Sequence, residues 1–252
     1  MRKIDRTGEE KTNNFGSKMI ISNYRNYDDI DIYFPKYNWI SKNKKYSDFK
    51  KGNIKCVYEP RTYGVGYIGE GKYKVRVNGK STKYYIIWND MLRRCYNAKF
   101  IEKYPTYRGC EVYSPWHNFQ VFSEWADKNY YEIKGEVICL DKDILCKGNK
   151  IYSPDTCIFV PNRINTLFIK SDGSRGNYPL GVTYCRNKKY QSYCTVDGKH
   201  KYLGYYDTSE EAFQVYKNFK EKYIKEVAEE YKNKIPQKLY DAMINYRMEI
   251  ND

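Results

Sequence analysis

The chain has 252 residues, with 45 Lys and Arg against 31 Asp and Glu and a formal net charge of +14 at pH 7. That balance favours polyanionic partners, nucleic acid foremost, and works against cationic ones, although Lys, Asn, Tyr and Ile are abundant together, so part of the charge is also open to reading as the bias of an AT-rich genome. No apolar run approaches the roughly 18 residues of a membrane span, no signal peptide is evident, and eight Cys without a Cys-x-x-Cys pair read as free thiols, so a soluble, cytoplasmic protein with no zinc site is expected.

Residues 1–62 read as a polar arm rich in Lys, Asn, Asp and Tyr, with mild apolar patches at Met19–Ile21 and Ile30–Phe34. An arm that packs on the core or touches DNA and a poorly ordered terminus are both open. Residues 63–84 form a β-hairpin unit, because alternating runs flank Asn78–Gly79, and both of those residues tolerate the positive φ of a type I′ turn. Gly64, Val65, Tyr67, Lys72 and Tyr73 recur in order as Gly181, Val182, Tyr184, Lys189 and Tyr190, so a duplicated three-strand unit and convergent hairpin chemistry are both open.

Tyr85 to Tyr96 has helical period, with Tyr85, Trp88, Leu92, Cys95 and Tyr96 on one face. Arg93 and Arg94 leave that face as candidate phosphate contacts, or as a solvated surface. A loop with Tyr104–Pro105 and Arg108–Gly109 follows, then a helix from Phe119 to Asn129, with His117 just before it. One of only two histidines in the chain, His117 is a candidate acid or base.

Val137–Leu140 and Cys157–Val160 read as short strands separated by a polar loop, with a helix starting near Pro161. The first strand ends in Asp141 and Asp143, and the helix carries Asn162, Arg163 and Asn165. Carboxylate and carboxamide oxygens brought together suit a hard divalent cation such as magnesium or manganese.

This strand–loop–strand–helix stretch resembles the HNH, or ββα-metal, nucleases, and more closely their divergent relatives in bacteriophage genomes. Trp88, Arg93–Tyr96, Arg108–Gly109 and Trp116–Phe119 stand in the order seen in those phage proteins, which extends the resemblance over residues 85–168, within an HNH-like domain at 85–170. The resemblance implies Asp141 and Asn165 as metal ligands and a metal-dependent cut of double-stranded DNA, of the homing-endonuclease kind. Two positions depart from it. Lys142 stands where the general-base His belongs, and Thr156 where the middle Asn belongs. A Lys of ordinary pKa, about 10.4, cannot take a proton from water at pH 7 but can contact a phosphate or stabilise developing charge, so Asp143 or His117 would have to serve as base.

Residues 171–178 read as a linker, and residues 179–232 as three strands followed by a helix from Ser209, with Thr208 and Glu211 in a capping-box pattern. Gly181–Val182, Tyr190, Gly198–Lys199, Tyr202–Leu203–Gly204 and Thr208 to Ala212 resemble the ethylene-response-factor (ERF-like) type of DNA-binding domain, whose sheet face enters the major groove. On that resemblance Arg186, Lys188, Lys189, Gln191, Lys199, His200 and Lys201 are the DNA-facing residues, with Arg186 and Gln191 singled out for base contact. Residues 233–252 read as a last helix, docked through Leu239, Met243 and Tyr246.

The expected fold class is thus α+β, a divergent ββα-metal unit followed by a small three-stranded antiparallel sheet packed on one helix. The expected function is a phage-type DNA-binding protein, acting in the host cytoplasm, that either cleaves double-stranded DNA with a divalent metal or keeps the scaffold without catalysis. The oligomeric state is open.

Overall fold

Between Lys18 and Lys44 the apolar side chains fall at strand period, Met19 and Ile21 in one run and Ile30, Ile32 and Phe34 in the next. Burying that one side builds a sheet. In the computed structural model, which describes residues 4–169, 178–185 and 189–252, strands β1 (Glu10–Thr12), β2 (Lys18–Asn26), β3 (Asp29–Phe34) and β4 (Trp39–Lys44) form an antiparallel meander in chain order. Helix α1 (Tyr46–Lys51) adds Tyr46 and Phe49 to a core completed by Ile54 and Cys56. The expected polar arm over residues 1–62 is therefore corrected to a sheet with its own core. Composition hides it, since the few apolar residues matter only through their alternation. At the β2–β3 turn the Arg25 guanidinium donates to Asp29 and Asp31 at 2.6–2.8 Å and holds the Asp31 carboxyl down to about 2.

The chain divides into two units, Met1–Lys128 and Asn129–Asp252. The first also holds a two-stranded ribbon, β5 (Arg76–Val77) with β6 (Lys80–Ser81), then α2 (Lys83–Tyr96), α3 (Ala98–Lys103), β7 (Glu111–Val112) and α4 (Phe119–Asn129). Helix α2 buries Trp88, Met91, Leu92 and Cys95, and Trp88 Nε1 donates to the Trp116 carbonyl at 2.7 Å. Residues 63–84 thus carry one hairpin with two residues per strand in place of three strands. What they share with the later sheet is the turn, a left-handed pair at Asn78–Gly79 and again at Asp197–Gly198.

In the second unit β8 (Ile138–Asp141) pairs antiparallel with β10 (Ile158–Pro161), which runs straight into α5 (Asn162–Leu167); β9 (Ile151–Tyr152) lies in the intervening loop. Strands β11 (Val182–Tyr184), β12 (Tyr190–Val196) and β13 (Lys199–Tyr206) form the three-stranded antiparallel sheet. Helix α6 (Ser209–Tyr231) starts from the expected capping box at Thr208 and Glu211, and α7 (Gln237–Ile244) docks through buried Leu239 and Met243. The described residues therefore make a mixed α and β fold with seven α-helices and several small antiparallel sheets. No helix among them is long and apolar enough to cross a membrane.

The expected domain boundary is also corrected. Ile158, Val160, Ile164 and Leu167 share one core with Ile224, Val227, Ala228, Tyr231, Leu239 and Met243, so the β8–β10–α5 element and the long helix cannot be separate domains. The linker at 171–178 lies almost wholly outside the described residues, and the division falls at the end of α4 instead.

Gly181 has φ +73°, and a Cβ placed there would lie within the Tyr216 ring's own contact distance. Gly181→Ala is therefore expected to destabilise the second unit by about 2 kcal/mol or more, through backbone strain and overpacking together, measured by urea unfolding.

Candidate functional site

Asp141 closes β8, and its Oδ1 accepts from the backbone N–H groups of Asp143 and Ile144 at 2.7 Å each. These two bonds favour the carboxylate, yet burial dominates and pushes the Asp141 carboxyl above the ordinary range. The next side chain, Lys142, is buried. Its Nζ donates to both oxygens of Asp143 at 2.7 and 2.8 Å and to the Asn149 carbonyl at 2.8 Å, and it lies 5.8 Å from the centroid of the Tyr152 ring. Asn149 returns hydrogen bonds to the carbonyls of Lys142 and Ile151, and Thr156 Oγ1 donates to the same Ile151 carbonyl at 2.7 Å. Lys142 and Thr156 thus peg the loop between the strands. Cys157, buried beside them, has its thiol pushed up to about 12, chiefly by burial.

A divalent cation does not fit this donor set well. One Asp141 oxygen is held by two N–H groups, the Asp143 carboxylate is already matched by an ammonium, and that buried ammonium repels a second cation. Asn165 lies half-buried on α5, one turn beyond Asn162, whose amide oxygen accepts from the Cys139 thiol at 3.7 Å. Among the described residues no group of three or more His, Cys, Asp or Glu is arranged to hold a metal ion.

Arg93, Arg94 and His117 belong to the first unit and Asp141, Lys142, Asp143 and Asn165 to the second. Arg93 pairs with Asp90 at 2.9 Å and lies 4.7 Å from the Phe100 ring centroid, while Arg94 lies over Tyr107. His117 Nε2 is 3.2 Å from the Tyr96 hydroxyl, which also accepts from the Val112 N–H. Tyr96 of α2 thus ties both the histidine and the segment around Val112, and partial burial lowers the imidazole's pKa. Arg163 spans α5, the β12–β13 turn and α6 through Asp197 and Glu230. All four cationic or basic groups have structural partners.

The sheet is where the structure rearranges the expectation most. Successive strand residues point to opposite faces, so Lys199, His200 and Lys201 cannot share one. The register sets Lys201 opposite buried Cys194 and Lys199 opposite Val196, on the helix side, and Lys201 Nζ lies 4.8 Å from the Phe219 ring centroid. Lys189 pairs with Asp207, and Arg186 and Lys188 lie outside the described residues. The expected basic face is thus corrected. The outer face carries Thr183, Gln191, Tyr193, Thr195, His200, Tyr202 and Tyr205, which pair across strands as Thr183 with Gln191, Gln191 with Tyr205, Tyr193 with Tyr202 and Thr195 with His200. Tyr202 and Tyr205 are 54% and 52% exposed with ring centroids 5.4 Å apart, and Tyr193 meets His200 at 5.3 Å. Thr183, Gln191, Tyr193, His200 and Tyr202 line a shallow surface hollow. Sequence reasoning placed Gln191 and His200 on this surface but missed the three tyrosines. The signal that finds Tyr193 and Tyr202 is the two-residue period counted outward from the Asp197–Gly198 turn, whereas Tyr205 reaches this face only through the register shift at Ser192–Tyr193, which that period does not show.

No family model matches the chain, and neither a curated protein nor a solved structure is found to match it.

Two outcomes follow from these environments. The folded state holds His117 neutral with its pKa below the ordinary value of about 6.5, so the unfolded chain binds the extra proton first. Stability of the first unit is then full above that pH and falls as pH drops through it, a dependence that thermal melts of His117→Asn should lack. For Asp141 the raised carboxyl has the opposite sign: stability declines as pH rises from the unfolded value, about 3.9, through the higher folded one. An amide can accept the same two N–H bonds without charge, so Asp141→Asn should keep or raise Tm at pH 7, by about 2–4 °C for each kcal/mol regained.

Proposed function

We propose that this protein binds double-stranded DNA through the outer face of the three-stranded sheet, and that the β8–β10–α5 element serves as a scaffold resembling an HNH nuclease rather than as a cutting site. The observation that carries the binding half is the row of exposed aromatic and hydrogen-bonding side chains on β12 and β13, on a chain of net charge +14. A three-stranded sheet backed by one helix is the ERF-like arrangement that the sequence resembles. Gln191 can present its amide oxygen as acceptor and its amide NH2 as donor to an adenine edge, His200 and the tyrosine hydroxyls reach bases or phosphates, and the surplus of Lys and Arg supplies the non-specific attraction. Support for the scaffold half comes from Lys142, which stands at the general-base position, buried and bonded to Asp143.

One observation favours a second reading, in which unpaired bases stack on the same face. Neighbouring Tyr202 and Tyr205 rings, both exposed, form a platform of the kind that single strands use.

Binding of a fluorescent duplex and of its separated strands, measured by anisotropy, decides between the readings. Gln191→Ala and Tyr202→Ala should each weaken duplex binding about 10-fold, within the roughly 1–3 kcal/mol of a good base contact, with the fold intact by circular dichroism. Tighter binding of the single strand would instead support stacking. On supercoiled plasmid with magnesium or manganese no nicking is expected; metal-dependent nicking that Asp141→Ala abolishes would overturn the scaffold half and restore the nuclease.

A further inference from the structure

The ribbon of residues 72–83 takes no part in that reading. It carries Lys72, Lys74, Arg76, Lys80 and Lys83 with no acidic residue among its twelve positions, and all five cations are exposed. Lys72 and Lys83 lie near Asp127 and so are partly matched. Among the described residues Lys74, Arg76 and Lys80 have no acidic partner within ion-pair distance.

The base of the ribbon is held firmly. Buried Gln120 uses its side-chain amide as a strand would, accepting from the Tyr73 N–H at 2.9 Å and donating to the Tyr73 carbonyl at 3.0 Å. Thr82 closes the other side, with its hydroxyl donating to the Lys74 carbonyl at 2.8 Å and its N–H to the Val75 carbonyl at 3.0 Å. The hydroxyls of Tyr73 and Tyr84 both donate to Asp127. Asn78 and Gly79, at φ 50° and 76°, then fold the tip without strain, leaving Val77 exposed beside it. Anchoring at the base removes the ordering cost that a floppy basic loop meets on binding.

We infer that this β-ribbon is a second DNA-contacting element, inserting its tip into the major groove of duplex DNA. Three features select that ligand. A two-stranded ribbon fits the width of the B-form major groove, whereas the deep, narrow major groove of A-form RNA does not admit it. The register puts Lys74 and Arg76 on one face of the ribbon and Lys80, opposite Val77, on the other, so cations face both phosphate walls of a groove. Nothing at the tip offers a stacking ring to a single strand, because Tyr73 and Tyr84 lie at the base with their hydroxyls bonded to Asp127.

The inference shares only its ligand with the sheet reading, and one experiment separates them. The full chain is compared with the triple variant Lys74→Ala, Arg76→Ala, Lys80→Ala and with the sheet variant Gln191→Ala, Tyr202→Ala, each checked for unchanged melting. The salt dependence of duplex binding is measured with protection of guanine N7 from dimethyl sulfate. Each phosphate contact contributes about 0.9 to the logarithmic salt slope, so the triple variant should lose about 2–3 from it, together with a subset of protected guanines that the sheet variant retains. A triple variant with the slope and protection of the parent overturns the inference and leaves the sheet reading standing. Loss of the slope only on duplex RNA or single strands overturns the assignment to duplex DNA. Absence of duplex binding by the parent chain at low salt overturns both.

Discussion

The second unit depends on one helix burying itself in two places at once. The first turns of α6 place Ala212, Phe213 and Tyr216 under the three-stranded sheet, against Val182 and Cys194. Its later turns place Tyr223, Ile224, Val227, Ala228 and Tyr231 against β8, β10, α5 and α7. Phe219 sits at the changeover and packs against both clusters. A helix of 23 residues is about 34 Å long at the usual rise, which is enough to serve two cores side by side but not to leave a free hinge between them. Burial of this kind, at roughly 25 cal/mol per Å² of apolar surface, is non-directional. Direction comes from the polar ties that cross the seam, Arg163 to Asp197 and Glu230, Tyr223 to Asp197 at 3.0 Å and Tyr231 to Glu136.

Seen against that frame of packing, the loop after β8 has its own internal logic. A buried ammonium is tolerable only when its donors are satisfied, and Lys142 satisfies them on Asp143 and Asn149 while Asn149 closes the loop on itself. Removing the Asp143 carboxylate would leave the buried ammonium uncompensated, which costs far more than an exposed ion pair is worth. The Lys142 side chain is thereby committed to holding the loop together. Asp141 is a different case. It lies in a place that resists charge, and the two N–H groups that it satisfies could be satisfied by a neutral side chain as well.

Much of the architecture was legible in the sequence, and for identifiable reasons. Helix α4 ends where the expected helix over Phe119–Asn129 ends, and α6 begins from the Thr208–Glu211 box, because capping and the 3.6-residue stripe are local signals. The strands of the later sheet and the turn at Asp197–Gly198 were equally local. What escaped was information carried by pairing. The N-terminal sheet rests on a handful of apolar residues among many charged ones. The shared core joins residues some sixty positions apart, such as Ile164 and Ile224. On the sheet face, three consecutive basic and imidazole side chains in the text of the chain were grouped as one surface, although the pleat must separate Lys201 from His200. Lys142 is legible as a residue, but not its burial or its bond to Asp143.

The Asp197 carboxylate links a turn to a frame. Sitting in the left-handed position of the β12–β13 turn, it receives the Arg163 guanidinium from α5 and the Tyr223 hydroxyl from α6. The three-stranded sheet and the β8–β10–α5 element are therefore clamped at a fixed separation within one unit, without a tether whose length could vary. In mechanical terms the unit is a ruler rather than a leash: anything gripped by the sheet face would meet α5 at one distance and one azimuth, set when the chain folds and altered only by breaking the clamp.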